Sequence, residues 1–122
     1  MEQLKIRGTK SPKNPFTLSE HELMNWCISY LSLRGHFVQR INTGRAFIRD
    51  DNGKVIRTIM LAETGSPDII GFHGKDGRYI GIEIKVKPNK PEPAQLQFIE
   101  NINRCGGIGA IVYSQEELMK IL

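Results

Sequence analysis

Two apolar runs, Ile69 to Phe72 and Tyr79 to Val86, flank the turn-forming segment Gly74-Lys75-Asp76-Gly77. This pattern predicts a β-hairpin. A turn closed symmetrically sets His73 opposite Arg78 and, five steps further out, Asp68 opposite Glu83. Upstream, Leu23, Trp26, Cys27, Tyr30 and Leu31, joined by Met24 or Leu33, recur at three- and four-residue steps and predict an amphipathic helix. Ser19-Glu20-His21-Glu22 has the capping-box spacing that opens it, and Gly35 ends it. His36 to Ile41 reads as a strand closed by Asn42-Thr43-Gly44. Ala46 to Arg49 and Val55 to Leu61 read as two more around Asp51-Asn52-Gly53. Beyond the hairpin, Pro88-Asn89-Lys90-Pro91-Glu92-Pro93 is a stiff polar linker. A helix over Ala94 to Arg104 follows, with Gln95, Phe98, Ile99 and Ile102 on one face. Cys105-Gly106-Gly107 stops that helix, Ile108 to Tyr113 is a strand, and Ser114 caps a last short helix running to Leu122. The order predicts an α/β fold, a central mixed β-sheet with the hairpin in its middle, flanked by helices.

The chain has 122 residues, enough for one domain with a modest core, and its 39% hydrophobic content points to a folded protein. Lys5, Arg7, Lys10 and Lys13 among Gly, Ser and Pro make residues 1–16 a basic flexible arm or lead-in, leaving 17–122 as the single domain. A net charge of +4 suits a polyanionic partner without naming one. Cys27 and Cys105 read as buried free thiols. With no secretory signal and no apolar stretch of membrane-spanning length, a reducing cytoplasmic setting and no membrane partner are expected. His21-Glu22-Leu23-Met24-Asn25 starts like a zinc-protease helix, but the second histidine is missing and that chemistry is excluded.

The hairpin carries the candidate chemistry. Carboxylates directly across a ladder stand roughly 4.5–5.5 Å apart at Cβ, and like charges so placed destabilise a sheet unless something positive lies between them. A divalent metal held by oxygen ligands would satisfy Asp68 and Glu83. Side chains alternate along a strand, so Lys85 shares the face of Glu83, while Ile82, Ile84 and Val86 take the other. Two acids, a cation site and an adjacent ammonium are the parts of a phosphodiesterase.

Pro67-Asp68 followed by Glu83-x-Lys85 resembles the PD-(D/E)xK nuclease superfamily. Gly65-x-Pro67-Asp68-Ile69-x-Gly71, Ile82-Glu83-Ile84-Lys85, Gln95 at the opening of the next helix and Gly106-Gly107 are similar to the VRR-NUC (virus-type replication and repair nuclease) domain. The likeness runs from about Ser19 to the C-terminus. It implies a restriction-endonuclease-like core and a metal-dependent DNA endonuclease using Mg²⁺ or Mn²⁺. Asp68, Glu83 and the Ile84 carbonyl would then bind the metal, with Glu22 contributing directly or through water and Lys85 positioning the attacking water. Position alone assigns Glu22 to helix capping, and Glu20 is the alternative acid. Position also gives Gln95 a structural hydrogen bond, whereas the resemblance makes it the family's motif glutamine in the catalytic set. Arg40, Asn42 and Arg45 resemble the R-x-N-x-G neighbourhood of related domains. They are candidate DNA contacts together with Lys87 and Lys90, although a turn asparagine and surface arginines need no function. Small stand-alone members resemble dimeric Holliday junction resolvases, so a homodimer acting on branched or junction DNA, of phage or prophage type, is expected. A monomeric flap or nicking repair nuclease and a catalytically inactive DNA-binding module are the alternatives. Sequence-specific restriction is disfavoured for want of a recognition insertion.

Overall fold

The structure, a computed structural model, describes residues 17–41, 45–60 and 62–122. The basic arm 1–16 and Asn42 lie outside the described residues. Helix α1 (Glu20–Leu33) opens on the expected capping box: the Ser19 Oγ accepts from the Glu22 N–H and the Glu22 Oε1 accepts from the Ser19 N–H at 2.9 Å. It closes through Arg34 onto Gly35, whose φ of 92° lies in the left-handed region open to glycine.

Strands β1 (Phe37–Arg40), β4 (Ile69–Phe72), β5 (Tyr79–Ile84) and β6 (Ile108–Val112) form a mixed sheet in the order β1-β4-β5-β6. The motif hairpin is its middle, β4 antiparallel to β5, and β5 runs parallel to β6. Strands β2 (Arg45–Arg49) and β3 (Val55–Met60) form a separate two-stranded ribbon. The fold is α/β, as the element order predicts, and is consistent with the restriction-endonuclease-like core that the resemblance implies.

One face of the sheet carries Ile69, Ile80, Ile82, Ile84 and Val112, buried against Leu23, Met24, Cys27 and Leu31 of α1 and Leu118 of α3 (Gln115–Ile121). The other face of β5 and β6 lies under α2 (Pro93–Arg104), whose Ile99 and Ile102 are buried there. Thus β5 is covered on both sides, the condition that turns a strand into a continuous apolar run. The outer edge of β6 is occupied by the Asn103 side chain, which donates to the Gly109 carbonyl at 2.9 Å and accepts the Gly109 N–H at 2.8 Å.

Three expectations change. Met24, not Leu33, completes the core stripe; Leu33 stands exposed in the same last turn of α1 that buries Leu31, because, two residues on, it lies on the other flank of the helix. Cys105 is exposed at the C-cap of α2, while Cys27 is buried and its thiol is pushed up to about 12 by loss of water, so it is inert. Strand β5 ends at Ile84 rather than Val86, because the polar, proline-rich segment after it leaves the ladder.

A side chain at Gly71 would collide with the Phe37 carbonyl oxygen on β1. Gly71→Ala is therefore expected to lower stability by about 1–3 kcal/mol through displacement of the edge strand, read as a reduced urea midpoint at unchanged slope.

Candidate functional site

The hairpin register is the one predicted: Ile69 pairs with Ile82, Phe72 with Tyr79, and the His73 N–H donates to the Arg78 carbonyl at 2.8 Å. One step outward, Asp68 falls opposite Glu83. The turn is held by Asp76, which accepts from the Arg78 N–H and from its Nε at 2.8 Å.

Asp68 is fixed by backbone. Its Oδ2 accepts the Ile84 N–H at 2.8 Å. In an antiparallel ladder the N–H and C=O of one residue point to the same side, so the Ile84 carbonyl also faces β4. The register puts Pro67 opposite Ile84, and proline has no N–H to give. The ladder thus supplies the Ile84 carbonyl with no donor, while the Asp68 carboxylate takes the Ile84 N–H in place of a backbone acceptor. This role of Pro67 was missed in the sequence; continuing the hairpin register by two residues was the signal that could have found it. Gly65, with φ of 87°, packs directly on the Ala94 carbonyl at the start of α2, which ties the approach to Asp68 to the first turn of that helix.

Glu83 is only 2% exposed, and its Oε1 has no hydrogen-bond partner. Its carboxyl is pushed up to about 8, first by burial and then by repulsion from Asp68; Lys85 opposes the rise. The Lys85 Nζ stands 3.7 Å from the Glu83 Oε2. A buried acid with an orphaned oxygen, a second acid beside it and a carbonyl without a ladder donor form an all-oxygen donor set. It fits a hard divalent cation.

Glu22 is spent in part on the Ser19 cap, and among the described residues no group of three or more His, Cys, Asp or Glu is gathered to hold an ion. Gln95 lies half-buried on the packed face of α2, and its Oε1 accepts the Glu92 N–H at 2.7 Å. The structural hydrogen bond expected from position is present. Gln95→Ala is expected to cost about 1 kcal/mol of stability and Gln95→Glu, which keeps the acceptor, to restore it in thermal denaturation. A fall in activity in the Glu variant without loss of stability would mark a role beyond the cap.

Arg40 pairs with Ile69 and so projects from the face opposite the carboxylates. Arg45 opens β2, and its side chain lies outside the described residues. Lys87 and Lys90 are exposed on the loop that leaves the site. No helix among the described residues is long and apolar enough to cross a membrane.

The model of the VRR-NUC domain matches residues 18–116 of the chain. Among curated proteins, none matches it.

Proposed function

As the chain belongs to the VRR-NUC domain family, whose members are nucleases, we propose that it is a divalent-metal-dependent DNA endonuclease, structure-selective and related to Holliday junction resolvases. The observation that carries this reading is the meeting of Asp68 and Glu83 on one face of the hairpin, with the Glu83 Oε1 buried and unpartnered and Lys85 beside it. Asp68, Glu83 and the Ile84 carbonyl would hold Mg²⁺ or Mn²⁺, with Glu22 contributing directly or through water. The chemistry supplied by the bound cation is acidification of water and withdrawal of charge from the scissile phosphate.

The protein's own groups do the rest. The Ile84 N–H holds Asp68 in one rotamer, so the acid needs no reorganisation to present its outer oxygen. Lys85, half-buried and tethered near Glu83, orients the attacking water and offsets charge that develops on the phosphate oxygens. The cover of α2 keeps bulk water from Glu83.

One such site cuts one strand, so symmetric cleavage of a four-way junction requires a two-fold dimer. The test is cleavage of junction, flap, linear duplex and single-stranded DNA in Mg²⁺ or Mn²⁺, beside sedimentation of the free protein. Paired cuts in the junction by a dimer support the resolvase reading. Flap cleavage by a monomer replaces it with the repair nuclease, and binding without cleavage replaces it with an inactive module.

A further inference from the structure

The face of the sheet that carries Asp68 and Glu83 is covered by α2 only over β5 and β6. Among the described residues, no helix packs over its other half. By strand alternation, Ile70 and Phe72 of β4 share the face of Asp68, and Phe37 and Gln39 of β1 sit opposite them through the pairs Phe37–Phe72 and Gln39–Ile70. Phe37 is 72% and Phe72 53% exposed. Tyr79, paired with Phe72 and meeting its ring edge-on at 6.5 Å between centroids, continues the strip on β5. There it borders a recess of about 460 Å³ also lined by Phe98 and Ile102.

We propose that this strip is a stacking platform for unpaired bases of the DNA being cut, which deepens the nuclease reading and rests on it. Phe72 lies four residues along β4 from Asp68 on the same face, about 13 Å at the strand rise. A strand whose phosphate sits at the carboxylates thus carries bases to Phe72 within about four nucleotides at stacked spacing. The exposed side chains are rings, which offer the π-face that any base accepts. Apart from the carboxylates at its end, the strip is uncharged. Lys75 flanks it in the turn and Arg34 precedes β1, both exposed, while Asp76 of the same turn is paired with Arg78. A second copy of the chain is the poorer occupant: a strip of roughly 13 by 10 Å is far below the ~800 Å² per partner of a stable interface.

The test uses the full chain in EDTA, so that cleavage does not intervene. Binding is measured to a duplex with a single-stranded tail containing 2-aminopurine and to a fully paired duplex of equal length. Wild type is expected to prefer the tailed DNA and to quench the 2-aminopurine. Phe37→Ala and Phe72→Ala are each expected to weaken tailed binding about tenfold and to lose the quench. Neither should change binding to paired duplex, and Phe72→Trp should keep both signals. The fold of each variant is checked by thermal denaturation, and because the two alanine variants are independent, loss of fold in one leaves the other to decide. Wild-type binding in both, an equal loss on both DNAs, or a quench kept by Phe72→Leu overturns the proposal. So does a dimer in sedimentation that Phe72→Ala dissolves, which would assign the strip to a second copy. Metal-dependent cleavage by wild type with no effect of the phenylalanines removes the platform alone. A phenylalanine-dependent quench with no cleavage in Mg²⁺ or Mn²⁺ removes the nuclease reading and leaves the platform.

Discussion

Asp68→Ala, Glu83→Ala and Lys85→Ala are each expected to abolish metal-dependent DNA cleavage, a fall of about 10³-fold or more, with the fold retained. Their costs in stability differ, because the three side chains sit in different surroundings. Asp68→Ala leaves the Ile84 N–H without its acceptor and should cost about 1–3 kcal/mol. Glu83→Gln keeps the shape but removes a buried acid whose Oε1 has no partner, so without metal it should be at least as stable as wild type above neutral pH. Lys85→Ala removes the cation beside Glu83 and should raise the titration of that acid further. Cleavage rates and urea unfolding on the same preparations separate loss of chemistry from loss of structure. Turnover like wild type in any of the alanine variants removes that residue from the catalytic set.

The second large effect is a metal-dependent reversal of the pH profile of stability. Burial and Asp68 raise the Glu83 carboxyl to about 8 from an ordinary value of 4.5. Between those values the folded protein binds more protons than the unfolded chain, so stability of the metal-free protein falls as pH rises through this window. The slope from Glu83 is at most about 1.4 kcal/mol per pH unit, one proton's worth. A cation held by Glu83 requires the carboxylate, so its affinity should rise up to about tenfold per pH unit below 8 and its binding should release a proton. At 100 times its Kd, Mg²⁺ or Mn²⁺ should add about 2.7 kcal/mol, roughly 10 °C in Tm. Urea unfolding at pH 5, 6.5 and 8 with and without metal measures both, and Glu83→Gln should flatten both. Metal-free stability that increases with pH, or a Tm indifferent to saturating metal, contradicts this account of the carboxylate pair.

Much of this was legible without coordinates because it depends on local rules. The hydroxyl of Ser19 and the carboxylate of Glu22 meet because they are three residues apart at a helix start. Asp68 faces Glu83 because a symmetric turn and strand alternation leave no other register that keeps the isoleucines on one side. The same rules did not place β2 and β3. Their alternation is consistent with a strand in any sheet, and only long-range packing put them in a ribbon of their own. Nor did they separate Met24 from Leu33 or bury Cys27 while exposing Cys105, since which flank of a helix meets the sheet depends on where the helix crosses it.

The sequence by itself determined the order of elements, the caps and the hairpin that sets two acids and a lysine on a common face. Periodicity and turn chemistry act over a few residues, so they can be read from letters. Only the tertiary structure decided that α2 covers one half of that face and that no helix among the described residues packs over the other. That cover takes Glu83 out of water and raises its proton affinity. The missing cover leaves Phe37 and Phe72 facing solvent. Burial is a property of segments distant in the chain meeting in space, and no pattern within either segment specifies it.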